Sequence, residues 1–478
     1  MTTRTGRTAQ VNSGSFRDPA GIVFDYGGQI YRSILPGGKD DYEAARDSGV
    51  YDSLIKDGLL IEHEEVELHD FMPAGTVYCV RHPRIPMISY PWEWPFGLLK
   101  QAALLQLEIM ERLIPRGLWL RDASALNIQY NGAKPVFIDT LSIGRRIEKS
   151  PWVAYGQFCS HFLAPLALAA WTDIRTLALW QSFIDGYPLD LAIKLLSRRK
   201  RMRPGILLHL VLHARFQQAS GTAEKSATGR LRRFSNVSDA GLLGIIRSLR
   251  KTIQGIDWHR VRSQWTDYES IGVYSGKDAA EKATFVENAI KRVGPRMVWD
   301  LGANTGKYSR IAAENGSYVV SFDSDRGCTE ALFEEVVRKS VRNVLPLHME
   351  IANPSSGLGW ANAERMSLKD RGPADMILAL ALLHHLVFKN SIPLSLIAGW
   401  LAYSAPYLVV EFVPPTDPMV LRLTENRVTS HHPYNWDEFQ RSFAPHFDFL
   451  TQAHLENGRK LLLGSAREGR QERRPVRL

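Results

Sequence analysis

The chain has 478 residues, 45% apolar and 23% charged, an ordinary globular composition with length for two or three domains. Cys79, Cys159 and Cys328 are scattered and odd in number, which excludes a disulfide framework or a cysteine zinc site and fits reduced thiols in the cytoplasm. The polar start Met1–Arg7 lacks the apolar core of a secretory signal, and Phe162–Trp171 is soon followed by Asp173 and Arg175, too short to cross a bilayer and expected as a buried helix.

The net charge of +9 is concentrated in three segments: Arg4, Arg7 and Arg17; Lys194, Arg198, Arg199, Lys200, Arg201 and Arg203; and five arginines after Gly464. None has interleaved aromatic residues, so these read as solvated tails and helix faces rather than a nucleic-acid surface.

In the front half, Leu118–Thr140 carries Asp122, Asn127 five residues later, and Asp139 after the apolar run Pro135–Ile138. An aspartate, an asparagine five positions on, and an aspartate after a short hairpin resemble protein kinases and aminoglycoside phosphotransferases. The upstream order fits as well: a hairpin from Phe24 to Arg32, a helix near Tyr42–Asp57, and a helix Leu98–Ile114 after the hinge-like Tyr90–Pro95. The resemblance implies an ATP and Mg²⁺ site at Asp122, Asn127 and Asp139. Two departures weigh against it. A Gly-x-Gly-x-x-Gly loop is missing, and Lys39 and Arg32 are poor substitutes for the strand lysine. On the alternative reading, Asp122 and Asn127 only cap a turn and Asp139 begins a loop.

Between His213 and Gly241 apolar periodicity is lost, which marks a linker. Helical spacing returns over Leu242–Ile253, and Trp258, Trp265, Tyr268 and Tyr274 read as aromatic packing leading into a second domain. Five apolar runs then alternate with helical segments, as parallel strands buried on both faces do. They are Met297–Leu301, Tyr318–Phe322, Val344–Met349, Met376–Leu383 and Leu408–Val413. Glu456-Asn457-Gly458 between His446–Leu455 and Arg459–Leu463 predicts a closing hairpin.

The first of these strands feeds Asp300-Leu-Gly302-Ala303-Asn304-Thr-Gly306 and then a helix. The pattern Asp-x-Gly-x-x-x-Gly after a strand resembles motif I of class I S-adenosylmethionine-dependent methyltransferases, whose sheet has the same plan of five parallel strands and a hairpin. The resemblance covers about residues 277–466 and gives an α/β fold with a Rossmann-like sheet. It implies that Asp300 lies near the methionyl group, that Gly302 and Gly306 let the backbone turn against the cofactor, and that Asp323 accepts both ribose hydroxyls, Asp325 being the rival. It further implies that Glu350 meets the adenine amine and Ile351 the adenine face. His384, His385 and Glu411 sit at the rim where such sheets hold ligands, and either histidine suits general base work. The bland reading is that one histidine packs beneath the cofactor.

The expected organisation is a basic tail over 1–20, a kinase-like α+β domain over 21–213, a linker and helical lead-in over 214–276, the methyltransferase domain over 277–466 and a basic tail over 467–478. The expected activity is methyl transfer to an oxygen, nitrogen or carbon acceptor on a small molecule, without a metal. The two-part layout also resembles bacterial proteins that include a rhizobial nodulation protein, which implies a role in host-specific nodulation. The alternatives are a nucleotide-dependent phosphotransferase with an added methyltransferase domain, and a non-catalytic protein that senses cofactor. The oligomeric state and the acceptor stay open.

Overall fold

A computed structural model of the chain describes residues 9–215, 237–258, 275–425 and 432–467. Arg4, Arg7, Trp265, Tyr268, Tyr274, most of the expected linker and residues 468–478 lie outside these. The chain divides into two compact units, Met1–His259 with Leu358–Arg365, and Arg260–Gly357 with Met366–Leu478.

The first unit opens with an antiparallel five-stranded sheet in the order Gln10–Val11, Gly21–Tyr26, Gln29–Ile34, Tyr78–His82, Glu64–Val66. Gly27 and Gly28 both take positive φ between the second and third strands, the conformation that a two-residue hairpin turn requires. Part of the segment expected as a tail therefore belongs to the sheet: Gln10 and Val11 pair with Asp25 and Phe24, and Arg17 pairs with Glu364. The expected helix near 42–57 is two helices, Pro36–Asp47 and Val50–Lys56, broken where Gly49 turns at φ 68°. Helix Phe96–Leu113 follows, buried along most of its length. Strands Leu118–Leu120 and Ile143–Arg145 pair, and between them lies the hairpin Ile128–Asn131 and Lys134–Phe137. These elements come in the kinase-like order.

The apolar run at 162–171 forms a π-helical turn Cys159–Leu163 and an α-helix Ala164–Trp171 with Ala164 to Ala169 buried. Among the described residues no helix is long and apolar enough to cross a membrane. The central basic segment is not wholly solvated, because Lys200 and Arg203 lie over the Trp171 ring at 4.8 and 4.7 Å. Helix Asp239–Gln254, expected in the connecting segment, belongs to the first unit. Its stripe Leu242, Ile246, Leu249 and Ile253 is buried, and Arg250 pairs with Glu111 of helix Phe96–Leu113 at 3.1 Å.

The second unit is a seven-stranded sheet of β1 (Met297–Leu301), β2 (Tyr318–Asp323), β3 (Val344–His348), β4 (Met376–Ala379), β5 (Tyr407–Phe412), β6 (Phe447–His454) and β7 (Lys460–Ala466). The spatial order is β3-β2-β1-β4-β5-β7-β6. The first five strands are parallel, and β7 runs antiparallel to both β5 and β6. This is the class I methyltransferase sheet. Their side chains are almost all buried, as parallel strands under helices must be. One expectation is corrected: β4 stops at Ala379, four residues short of Leu383. Ala381 takes φ 51°, which ends the extended run, and Leu383 opens a helix to Asn390. A short apolar run cannot separate the end of a buried strand from the start of a buried helix.

Candidate functional site

All the carboxyl ends of β1 to β5 open on one edge of the sheet, where open α/β sheets bind ligands. After β1 the chain turns back on β2: the N–H groups of Gly302 and Ala303 donate to the Phe322 carbonyl at 2.8 and 3.0 Å. Gly302, Asn304 and Gly306 all take positive φ. The two glycines are required for different reasons. A methyl group on Gly302 would meet only Leu382 Cδ1, at 3.6 Å, whereas on Gly306 it would strike Leu332 Cδ1 at 2.3 Å. Gly306 therefore serves the packing of helix Lys307–Glu314, which it caps, and Gly302 keeps open the face above the loop. Ala303 is buried beneath it.

Asp300, near the end of β1, is buried beneath the loop. It is 2% exposed and accepts from Ser309 Oγ at 2.6 Å, which in turn accepts from Ser321 Oγ at 2.8 Å. Burial raises its pKa to about 6, against the lowering effect of Ser309. It braces the loop's helix to β2 through Ser309 and Ser321.

Asp323 ends β2 and accepts the N–H of Asn304 at 2.7 Å and of Asp325 at 2.7 Å, one on each oxygen. Burial outweighs these bonds and lifts its pKa to about 6. A carboxylate in that condition is stabilised by further donors, as two vicinal hydroxyls would be. Its rival Asp325 is already used, capping helix Arg326–Arg338 through the N–H groups of Gly327 and Cys328. Glu350 follows β3, half-exposed, with Lys389 Nζ at 3.4 Å, and Ile351 beside it is partly exposed.

His384 and His385 lie in the first turn of helix Leu383–Asn390, not at a strand end, so strand alternation does not separate them. Their ring centroids are 4.2 Å apart. His384 is 1% exposed and both its ring nitrogens lack a hydrogen-bond partner. Burial, then the charges of His385, Arg459 and Lys282, push its pKa well below the imidazole range. It is therefore a neutral ring, a weak base but a free hydrogen-bond acceptor and donor.

Glu411 on β5 is corrected as a base. It is fully buried, accepts from Lys282 Nζ at 2.7 Å, and has Arg459 Nη1 at 3.4 Å. Arg459 Nε also donates to Asp417 at 2.8 Å. Its two oxygens therefore face Lys282 and Arg459 inside the core, which makes it an ion-pair partner. Lys282 lies over the Tyr308 ring at 4.8 Å, behind the glycine loop. Sequence reasoning missed Lys282, Arg459 and Asp417. Only Lys282 left a signal, since it occupies the buried stripe of helix Gly276–Val293 with Asp278, Val286, Ala289 and Ile290.

In the first unit Asn127 lies between Asp122, to which it hydrogen-bonds, and Ser142, which donates to Asp139. Asp122 Oδ1 accepts from Ser124 N at 2.8 Å and Gln157 Nε2 at 2.6 Å, and burial raises its pKa. Asp139 accepts from Ser142 Oγ and pairs with Arg32 at 2.7 Å. Among the described residues no three His, Cys, Asp or Glu side chains are gathered to hold a metal ion.

No family model matches the chain. Among solved structures it is similar to magnesium protoporphyrin IX methyltransferase (ChlM) of Synechocystis PCC 6803 with bound SAH, with 15% identity, TM-score 0.30, and coverage of 40% of this chain and 84% of that one. It is also similar to a putative O-methyltransferase of Nostoc punctiforme PCC 73102, with 14% identity, TM-score 0.32, and coverage of 42% and 59%. The bifunctional kinase-methyltransferase WbdD matches with 13% identity and TM-score 0.30, over 42% of this chain and 41% of its own. A much nearer relative is nodulation protein NoeA of Rhizobium meliloti (strain 1021), 33% identical over 465 residues, 96% of each sequence. With that identity over nearly the full length of both, the chain belongs to the family of nodulation protein NoeA.

Proposed function

We propose that the second unit, over about residues 277–466, transfers a methyl group from S-adenosylmethionine to an oxygen, nitrogen or carbon nucleophile of a small molecule. A metabolite or signal-molecule precursor made for host-specific nodulation suits the family. The observation that carries the reading is the convergence, on one edge of a β3-β2-β1-β4-β5-β7-β6 sheet, of an open glycine loop, an under-satisfied aspartate and a buried histidine without partners.

The residues fit the cofactor. Asp323 would accept the ribose hydroxyls, Glu350 the adenine amine, and Ile351 would cover the adenine face. The main chain at Gly302–Asn304 would lie against the methionyl part, held in place by Asp300 through Ser309. When bound, the cofactor supplies an electrophilic methyl group on a sulfonium centre. The protein contributes orientation, which can account for several kcal/mol of barrier when reactants are held in line. His384 would hold the acceptor through a hydrogen bond from its hydroxyl or amine, and its low basicity makes it a positioning group first and a proton acceptor second. His385, partly exposed beside it, is the residue through which a proton could leave.

Incubating the full chain with radiolabelled cofactor and fractionated bacterial extract tests this. The expected result is a labelled small-molecule fraction that disappears with Asp323→Ala. Label appearing only in protein or nucleic acid, or none at all from a folded chain that binds cofactor, would overturn the small-molecule assignment; the last result would favour the sensing role.

A further inference from the structure

The kinase-like unit carries an ion-pair arrangement that methyl transfer does not use. Arg32, on the strand Gln29–Ile34, is 6% exposed. Its Nη1 lies 2.7 Å from Asp139 Oδ1, and its Nη2 donates to Asp18 Oδ2. The second oxygen of Asp139 accepts from Ser142 Oγ, to which Asn127 Nδ2 donates at 3.3 Å. Asp122 spends Oδ1 on Ser124 and Gln157. Asn127 is thus engaged with Ser142, and Asp139 faces the Arg32 cation through Oδ1, an ion contact without a hydrogen bond.

A magnesium ion needs a near-octahedral oxygen shell that includes one or two free carboxylates. Here the carboxylate best placed to offer itself already faces a positive charge. A lysine at that position would be a mobile point charge, able to swing toward a phosphate. Arginine is a planar fork that never loses its proton and bridges two carboxylates at once. For a metal to take Asp139, the buried guanidinium would have to be stripped of a partner, and leaving a buried charge uncompensated is strongly unfavourable.

We propose that Arg32 is a built-in cation standing where a divalent metal would bind, between Asp18 and Asp139, so that the kinase-like unit holds a closed, metal-free cleft and performs no phosphotransfer.

The test uses the full chain. Calorimetric titration of the wild type with Mg²⁺ and ATP should give no binding at millimolar concentrations. Arg32→Ala should melt at a lower temperature, and Mn²⁺ should raise that temperature in Arg32→Ala while leaving the wild type and Arg32→Ala/Asp139→Asn unmoved. Should Arg32→Ala fail to fold, Arg32→Lys is read in the same way, since a lysine bridges the two carboxylates less well and should admit the ion. Binding of Mg²⁺ and ATP by the wild type that is lost in Asp139→Asn would overturn the proposal. So would melting of the folded Arg32 variant that is indifferent to Mn²⁺.

Discussion

Asp139 in the first unit lies just after a β-strand and Asp323 in the second ends one; each accepts local hydrogen bonds, yet their charge is handled differently. Asp139 faces the buried guanidinium of Arg32 at 2.7 Å. Asp323 has two main-chain N–H groups, and among the described residues no lysine or arginine forms an ion pair with it. Its pKa rises to about 6 because burial is not offset by a cation. A strand-end carboxylate that faces a buried cation of its own chain is already charge-compensated, whereas one without a cation carries a free-energy cost of burial that a ligand's hydroxyls can relieve. The same residue type near the end of a strand is thus paired with a cation in one unit and left without one in the other, where we propose that it binds the cofactor.

The buried charges around Glu411 give the largest effect that this contrast implies. Glu411→Ala leaves Lys282 and Arg459 without their shared carboxylate, so the second unit should lose about 3–5 kcal/mol in denaturant unfolding. A loss below about 1 kcal/mol, the range of exposed pairs, would mean that water reaches the network and that Glu411 is available for chemistry after all.

Next comes His384. Once an acceptor is identified, His384→Ala should lower kcat by about 10²-fold with cofactor affinity nearly unchanged. Equal turnover in the variant would leave His385 as the residue to examine.

The third effect is on pH dependence. If ribose hydroxyls donate to ionised Asp323, cofactor affinity is constant above the folded pKa and weakens as pH falls through about 6. For the free protein the sign is opposite. A raised carboxylate pKa contributes stability that is complete below 3.8 and lost as pH rises through about 6. Asp300 titrates in the same window, so titrations of Asp323→Asn separate the two, and any slope that remains belongs to Asp300. Affinity that improves on acidification would contradict the assignment.

The smallest effect concerns Asp325. As a helix cap its replacement by alanine should cost about 1 kcal/mol of stability with no measurable change in cofactor affinity. A change in affinity equal to that from Asp323→Ala would move the ribose contact by two residues.

Much of the second unit was legible because a parallel sheet writes itself as apolar runs, and because Asn457-Gly458 signals a hairpin. The boundary of β4 was not. Leu380, Leu382 and Leu383 continue the run without any change of residue type, and only the positive φ at Ala381 ends the strand. The strand-end residues of the site were legible for the same reason as the strands that carry them. Their directions were not. Nothing in the sequence separates Asp300, turned inward to Ser309, from Asp323, turned to the loop. The Glu411 network joins a helix, a strand, a loop and a hairpin, so its members are up to about 180 positions apart in sequence and meet only through topology. In the first unit Asp122, Asn127 and Asp139 were found by spacing alone, but spacing does not show which cation a carboxylate faces. That answer lay in Arg32 on a strand about a hundred residues earlier.

Calorimetric titration of the full chain with S-adenosylmethionine tests the contrast between the two aspartates most directly. The account predicts one binding site, weakened by about 1–3 kcal/mol in Asp323→Ala and unchanged in Asp139→Ala. Absence of binding by the folded wild type, or an undiminished affinity in Asp323→Ala, would contradict it.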